Sequence, residues 1–378
     1  MSPPVDGLLE RVRAVVPLIA ERAPTAEEAR KPDDDVIEAL CATGVFKAFV
    51  PARYGGYELD LETYADIGIE VAEACPSTGW ITTFYMEHNW LLGMFPPETQ
   101  DALFSTQEYI LSPGAVNPSG KAVRRDDHLE LTGRWQFGTG IVHADWVLLS
   151  GLIDGDDPPF PRMFLVPPSD VTIEDTWHVD GMAATGSHDI VATSVKVPLD
   201  HVSLLAMGVQ DTADSYLRRI PMRPFLALTA GLPAVGCARR AVRLFQERMT
   251  ERVLFGTTKR QSETSAAQIR LGSVAARAAM AERAMRAAAA EMNACARGEL
   301  ELPPLEHVRL RTEIALVVRQ CRDVVRDVLE ASGAKAHFLS NELQRIHRDV
   351  HVVAAHTVFD VEGVANEYGR ALLEAAAP

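Results

Sequence analysis

The chain has 378 residues, 47% of them hydrophobic and 24% charged, enough apolar material for a large core spread over two or three domains, which excludes a disordered chain. A formal net charge of −15 disfavours nucleic acid as a partner, because phosphate binding needs a basic face. Five scattered cysteines without CxxC spacing, no run of about 18 apolar residues and no secretory leader describe a cytoplasmic protein with reduced thiols and no membrane span.

From residue 8 to about 103, apolar residues recur at three and four positions, and Asp33, Asp34 and Asp35 offer an N-cap and first-turn acids. The breaks ARYGGYELD and FPPET supply Gly and Pro punctuation, so residues 1–108 are expected to form a helical N-terminal domain. The texture then changes to short β-branched and aromatic runs separated by turns, such as DDH before LELTG and GDDPPFP before RMFLVP. Residues 109–215 are expected to form a small β-barrel or sandwich. Helical spacing returns from Pro221 in four long segments, roughly 225–253, 262–297, 304–332 and 340–375, which predict a four-helix bundle over residues 216–378. The fold class is α+β, in the order helical, β, helical.

Four stretches carry candidate chemistry. The first is Phe137-Gly138-Thr139-Gly140, followed by Ala144-Asp145-Trp146; by itself it reads as a turn threonine beside a core aromatic. The second runs from Trp177 through Gly181-Met182 and Thr185-Gly186-Ser187 to the VKVP ending at Pro198, and alone it is a polar turn between strands. The third is Arg252 with Phe255-Gly256, where an arginine ending a helix ordinarily complements its dipole. The fourth is the Arg348-Asp349 pair followed by His356; a lone histidine, here or at His88 in FYMEHNW, is by default a core or surface residue.

His347, His351 and His356 are placed together on the last predicted helix. The zincin pattern needs Glu after the first histidine, where this chain has Arg348, and none of the predicted helices carries paired Glu-x-x-His motifs. A metal site is therefore not expected. P-loop, Gly-x-Gly-x-x-Gly and Gly-x-Ser-x-Gly patterns are also missing, so a cofactor would have to be held by the β-domain and bundle.

In this order the motifs resemble the acyl-CoA dehydrogenase superfamily, and more particularly its branch of oxygenase components of two-component flavin-dependent monooxygenases. The resemblance covers most of the chain, is strongest over residues 131–198 and 340–370, and is weak in the first 30. It implies that Phe137 packs against the isoalloxazine, Thr139 hydrogen-bonds flavin N5, and Trp177, Thr185 and Ser187 line the flavin. It also implies that Arg252 reaches the flavin phosphate of a neighbouring subunit, a match of paired donors to an oxyanion. His356 and His88 would orient the substrate or take its proton, with Thr139 completing the catalytic set.

The dehydrogenases of the superfamily use a glutamate base. No acid occurs between Asp349 and Asp360, nor in PMRPFLALTAG at the start of the bundle. Loss of a general base costs roughly 10² to 10⁴ in rate, which turns the expectation away from dehydrogenation. The resemblance implies reduced FMN, less readily FAD, supplied by a separate NAD(P)H:flavin reductase, with O₂ as co-substrate. A C4a-hydroperoxide would then hydroxylate a small organic substrate, an aromatic one, in secondary metabolism or catabolism. The alternatives are an FAD-dependent acyl-CoA dehydrogenase with a relocated base, an amine N-oxygenase or S-oxygenase on the same scaffold, and a scaffold subunit without chemistry. Assembly would be a homotetramer, a dimer of dimers.

Overall fold

The computed structural model describes residues 5–204 and 215–376, so the end of the expected β-domain, residues 205–214, lies outside the described residues. The N-terminal helices are α1 (Leu8–Ala29), α2 (Asp34–Thr43), α3 (Leu61–Ala74), α4 (Pro76–Leu92) and α5 (Pro97–Phe104). The strands are β1 (Gly114–Arg124), β2 (His128–Gly138), β3 (Val147–Ile153), β4 (Arg162–Val166), β5 (Thr172–Glu174), β6 (His188–Pro198) and β7 (Val202–Leu204). The C-terminal helices are α6 (Met222–Glu251), α7 (Ser265–Ala296), α8 (Pro304–Ser332), α9 (Glu342–Ala354) and α10 (Val361–Ala375). They divide into two compact units, and the boundary falls inside α4: Met1–Asp60, Ile81–Val179 and Ala183–Met222 form the first, Leu61–Trp80, Asp180–Met182 and Arg223–Pro378 the second.

In the first unit, α2 begins as its acids dictate: the Asp33 carboxylate accepts from Val36 N–H at 3.2 Å, and Gly44 closes the helix at φ 80°. The strands form one mixed sheet in the order β5-β6-β2-β1-β3-β4-β7. The β1–β3 pairing is parallel and the others antiparallel. Apolar residues at alternate positions put Leu129, Leu131 and Trp135 of β2 into the same core as Val195 and Val197 of β6 and Phe164 of β4. Trp135 is the largest piece of that core, and its indole N–H donates to the Ser150 carbonyl at 2.7 Å. Gly120 makes room for it, since a Cβ there would stand 2.3 Å from Trp135 Cζ2.

In the second unit, α7 packs on α8, α8 on α9 and α10, and α3 on α7. Asn293 of α7 ties down the start of α3, accepting from Leu61 N–H at 3.3 Å and donating to Glu62 at 3.0 Å. Arg240 grips Glu342 with paired bonds of 2.8 and 2.7 Å, fixing α6 to α9. Helix α6 is long and apolar enough, by length and composition alone, to cross a membrane, although the sequence shows no unbroken apolar run; most of that stretch is buried inside the molecule, as in the core helix of a bundle. The last predicted segment is not one helix but two. The chain leaves α9 at Ala355, runs through an extended His356 (φ −63°, ψ 137°) and re-enters helix at α10. His356 therefore does not share a helix with His347 and His351, as the periodicity suggested.

Candidate active site

The end of β2 is irregular, and the irregularity exposes an aromatic. The β2–β6 register shifts between Trp135 and Gly138, and Phe137 takes φ 67°, a left-handed conformation that β-carbons resist. Thr139 N–H donates back to the Phe137 carbonyl at 2.8 Å, closing a tight turn. Trp135 stays in the core, whereas Phe137 swings out and is 62% exposed. Its ring meets that of Trp177 edge-on at 6.0 Å, and the Trp177 segment is pinned by Arg30, which bonds the Trp177 carbonyl at 3.2 Å and Asp175 at 2.9 Å.

Beside this aromatic pair lie three hydroxyls. Thr139 Oγ1 is 3.0 Å from Ser187 Oγ, which is 2.7 Å from Thr185 Oγ1, and all three residues are buried. The two turns that carry them are laced together, with Gly140 N–H donating to the Thr185 carbonyl at 3.0 Å. Gly140 (φ 72°) is further held by Tyr85 of α4, whose hydroxyl donates to its carbonyl at 2.5 Å; a Cβ at Gly140 would stand 2.4 Å from that oxygen. Burial, reinforced by Asp145 and Cys41, drives the Tyr85 phenol upward in pKa, so it remains a donor.

One turn further along α4, His88 is fully enclosed. Its Nδ1 lies 2.5 Å from the Ser112 carbonyl oxygen, its ring meets Phe84 at 5.5 Å, and its Nε2 is 3.4 Å from the buried carboxyl of Glu87. Burial pushes His88 down to about 4 and Glu87 up to about 8, so at neutral pH both are uncharged.

In the second unit, His356 is held by its own loop: its Nδ1 accepts from Val358 N–H at 3.3 Å, while Trp80 and Phe359 pack on the ring at 5.7 and 6.1 Å. Solvent reaches the residue, yet the surrounding protein lowers its pKa by desolvation. With Nδ1 accepting, the neutral ring carries its proton on Nε2, so the outward nitrogen is a donor. Arg252 follows α6 directly, and Arg248 stands one turn before it. Arg248 is lowered in pKa by burial and then by Arg252, and its buried Nε has no hydrogen-bond partner. Among the described residues neither guanidinium pairs with a carboxylate, an arrangement suited to an oxyanion from outside. On α9, the His347 and His351 rings lie 4.2 Å apart, and burial together with His351 pushes His347 down to about 4. Among the described residues, no group of three or more metal-ligating side chains is assembled.

The structure thus gathers Phe137, Thr139, Trp177, Thr185 and Ser187 around the end that β2 shares with β6, with His88 on α4 of the same unit; His356 and Arg252 belong to the second unit. The sequence reading missed Tyr85, Glu87, Trp80 and Arg248. Arg248 alone left a signal, its spacing of four from Arg252. An exposed aromatic pair, its rings edge to face, bordered by hydroxyls that donate or accept suits a planar ring system with polar edge atoms, which is what a flavin presents.

Comparison with known proteins points to the same class of cofactor. Residues 8–100 match the acyl-CoA dehydrogenase N-terminal domain family and residues 228–361 the C-terminal domain family. A pigment production hydroxylase from a Rhodococcus species is 32% identical over 374 residues, covering 97% of this chain and 96% of the relative. The oxygenase component of p-hydroxyphenylacetate 3-hydroxylase from Acinetobacter baumannii is 27% identical over 383 residues, 98% of this chain and 90% of the relative. The structure of XiaF from a Streptomyces species, in complex with FADH2 and glycerol, superposes with a TM-score of 0.92 at 28% identity, covering 99% of this chain and 97% of XiaF. The chain belongs to the acyl-CoA dehydrogenase family, in the branch formed by the oxygenase components of flavin-dependent monooxygenases. It is an enzyme that works with reduced flavin and O₂ on a small molecule, with a separate flavin reductase as partner.

Proposed function

We propose that this oxygenase hydroxylates a small aromatic substrate in the cytoplasm, taking reduced FMN in preference to FAD from an NAD(P)H:flavin reductase. The observation that carries the reading is the exposed Phe137, held at positive φ beside the buried Thr139–Ser187–Thr185 hydroxyls. When bound, the reduced flavin supplies the activation of O₂. Phe137 and Trp177 would hold the ring system, and Thr139 would meet N5, with Ser187 fixing the rotamer of Thr139. Arg252, joined by Arg248, would take the phosphate of a neighbouring subunit's flavin, making a homotetramer the working assembly. His356 would present Nε2–H to the reacting oxygen, which makes it a hydrogen-bond donor before it is a base. An aromatic substrate suits the exposed aromatic pair of Phe137 and Trp177.

Dehydrogenation is not favoured. Residues 350–359 contain no acid, and Asp349, just before them, is buried with its carboxylate accepting from Met182 N–H at 2.5 Å. The test is anaerobic binding of reduced FMN followed by rapid mixing with oxygenated buffer. A transient absorbance band distinct from both reduced and oxidised flavin is expected. Direct reoxidation without it, together with co-purified FAD bleached by an acyl-CoA, would overturn the reading.

A further inference from the structure

Two ionisable residues sit side by side inside the first unit, and the functional reading uses at most one of them. Glu87 is 0% exposed and His88 2%. The carboxyl oxygen Oε2 is 3.4 Å from His88 Nε2, and among the described residues neither Glu87 oxygen has a hydrogen-bond partner of good geometry. The far edge of the ring is fixed, because the Ser112 carbonyl can only accept; Nδ1 must carry a proton, which leaves Nε2 as a lone pair turned toward the carboxyl. Gly114 keeps this edge clear, since a Cβ there would stand 2.8 Å from Nε2. Among the described residues no charged group acts on either: burial and the Ser112 carbonyl are what shift them, Gly114 and Phe84 lie against the His88 ring, and Tyr85 turns its hydroxyl to Gly140. A buried carboxylate without a donor is costly, whereas a carboxylic acid whose O–H points at Nε2 satisfies both groups.

The geometry points to Glu87 as a proton-bearing positioning residue that holds His88 in its Nδ1–H tautomer and stores one proton for the oxygenation cycle. The monooxygenase reaction releases the second oxygen atom of O₂ as water and consumes protons in doing so. Proton delivery breaks the Glu87 O–H bond and forms Nε2–H on His88; the Nε2–H bond then breaks as the proton joins the second oxygen atom and completes the water released, leaving Glu87 as carboxylate and His88 in its neutral Nδ1–H tautomer. A proton from solvent restores the acid between turnovers. Delivery to the reaction rests on the monooxygenase reading; the protonation state of the pair does not.

Infrared difference spectra of the flavin-free protein, titrated through the region around pH 8, test the pair directly. We expect a carboxylic acid carbonyl band that disappears over this range, shifts with ¹³C-labelled glutamate, shifts again in His88→Asn and is missing in Glu87→Gln. The His88→Asn shift separates it from the other buried glutamate, Glu73, which lies between Arg239 and Arg243. A band that titrates only in the ordinary carboxylate range, visible without any variant, overturns the proposal. In turnover, Glu87→Gln keeps a donor for Nε2 but holds no transferable proton. Coupling of O₂ use to product should fall about tenfold or more, with loss of the alkaline limb of its pH profile, while binding of reduced flavin holds. Unchanged coupling and an unmoved limb overturn the delivery role. A wild type that makes no oxygenated product fails the functional reading instead, and the band still decides the pair.

Discussion

At the scale of single residues, Glu87 and His88 make opposite demands on pH. The Glu87 carboxyl is raised from an ordinary 4.5 to about 8, so the stability it contributes is full below 4.5 and is lost as pH rises through 8. His88 is lowered from 6.5 to about 4, so its contribution is full above 6.5 and is lost as pH falls toward 4. Between 4.5 and 6.5 the folded and unfolded chains each hold one proton from the pair and the two slopes cancel. Between 6.5 and 8 only the folded chain keeps one, and stability should fall by roughly 1.4 kcal/mol per pH unit, about 2 kcal/mol across the window. Glu87→Gln should flatten that fall in denaturant titrations; an unaltered slope would mean that the carboxyl is already ionised. His356 invites a different experiment. Because its outward nitrogen is a donor, His356→Ala should lower product coupling on the order of tenfold to a hundredfold without preventing flavin binding. His356→Asn, whose amide can donate, should recover part of it, and unchanged product yield in the alanine variant would remove His356 from the mechanism.

At the scale of elements, the shape of the site depends on two glycines that admit aromatic side chains. Gly120 accepts the edge of Trp135, and Gly140 accepts the Tyr85 hydroxyl. Gly120→Ala would push a carbon into the indole and should destabilise by about 1–3 kcal/mol, measurable as a lower melting temperature; an unshifted transition would show that β1 moves aside without strain. Such contacts escape sequence reading, because alternation identifies β2 as a strand while the partner facing each glycine comes from another element. The break between α9 and α10 escapes it for a related reason. Apolar spacing continues through VVAAHTVF, and what stops the helix is local: an extended His356 whose own ring accepts the Val358 N–H. The acids at the start of α2 were legible, because an N-cap is satisfied within three residues of itself.

At the scale of the whole molecule, the second unit carries several exposed apolar side chains among the described residues. Phe255 is fully exposed beside Val253, and Ile269 and Met280 project from α7. Contact between chains through the bundle would cover such positions, and Arg248 and Arg252, which pair with no carboxylate among the described residues, would serve a site completed by a neighbouring copy. Light scattering should therefore report at least a dimer, with a tetramer expected. A monomer at working concentration would remove Arg252 and Arg248 from a neighbour's flavin and leave them as solvated charges.

The sequence by itself determined the order of helical and β-rich regions and the extents of α6, α7 and α8 to within a few residues, and it named the candidate residues Phe137, Thr139, Trp177, Thr185, Ser187, Arg252, His88 and His356. Period, turn chemistry and motif spacing are properties of neighbours along the chain and survive in one dimension. Tertiary structure decided which of these residues meet: that Ser187 bridges Thr139 and Thr185, that Phe137 is turned out by a register shift, that His356 presents a donor, and that Glu87 is a buried acid facing His88. Protonation and tautomer follow from desolvation and from the single partner each atom finds, and both are set by segments distant in sequence.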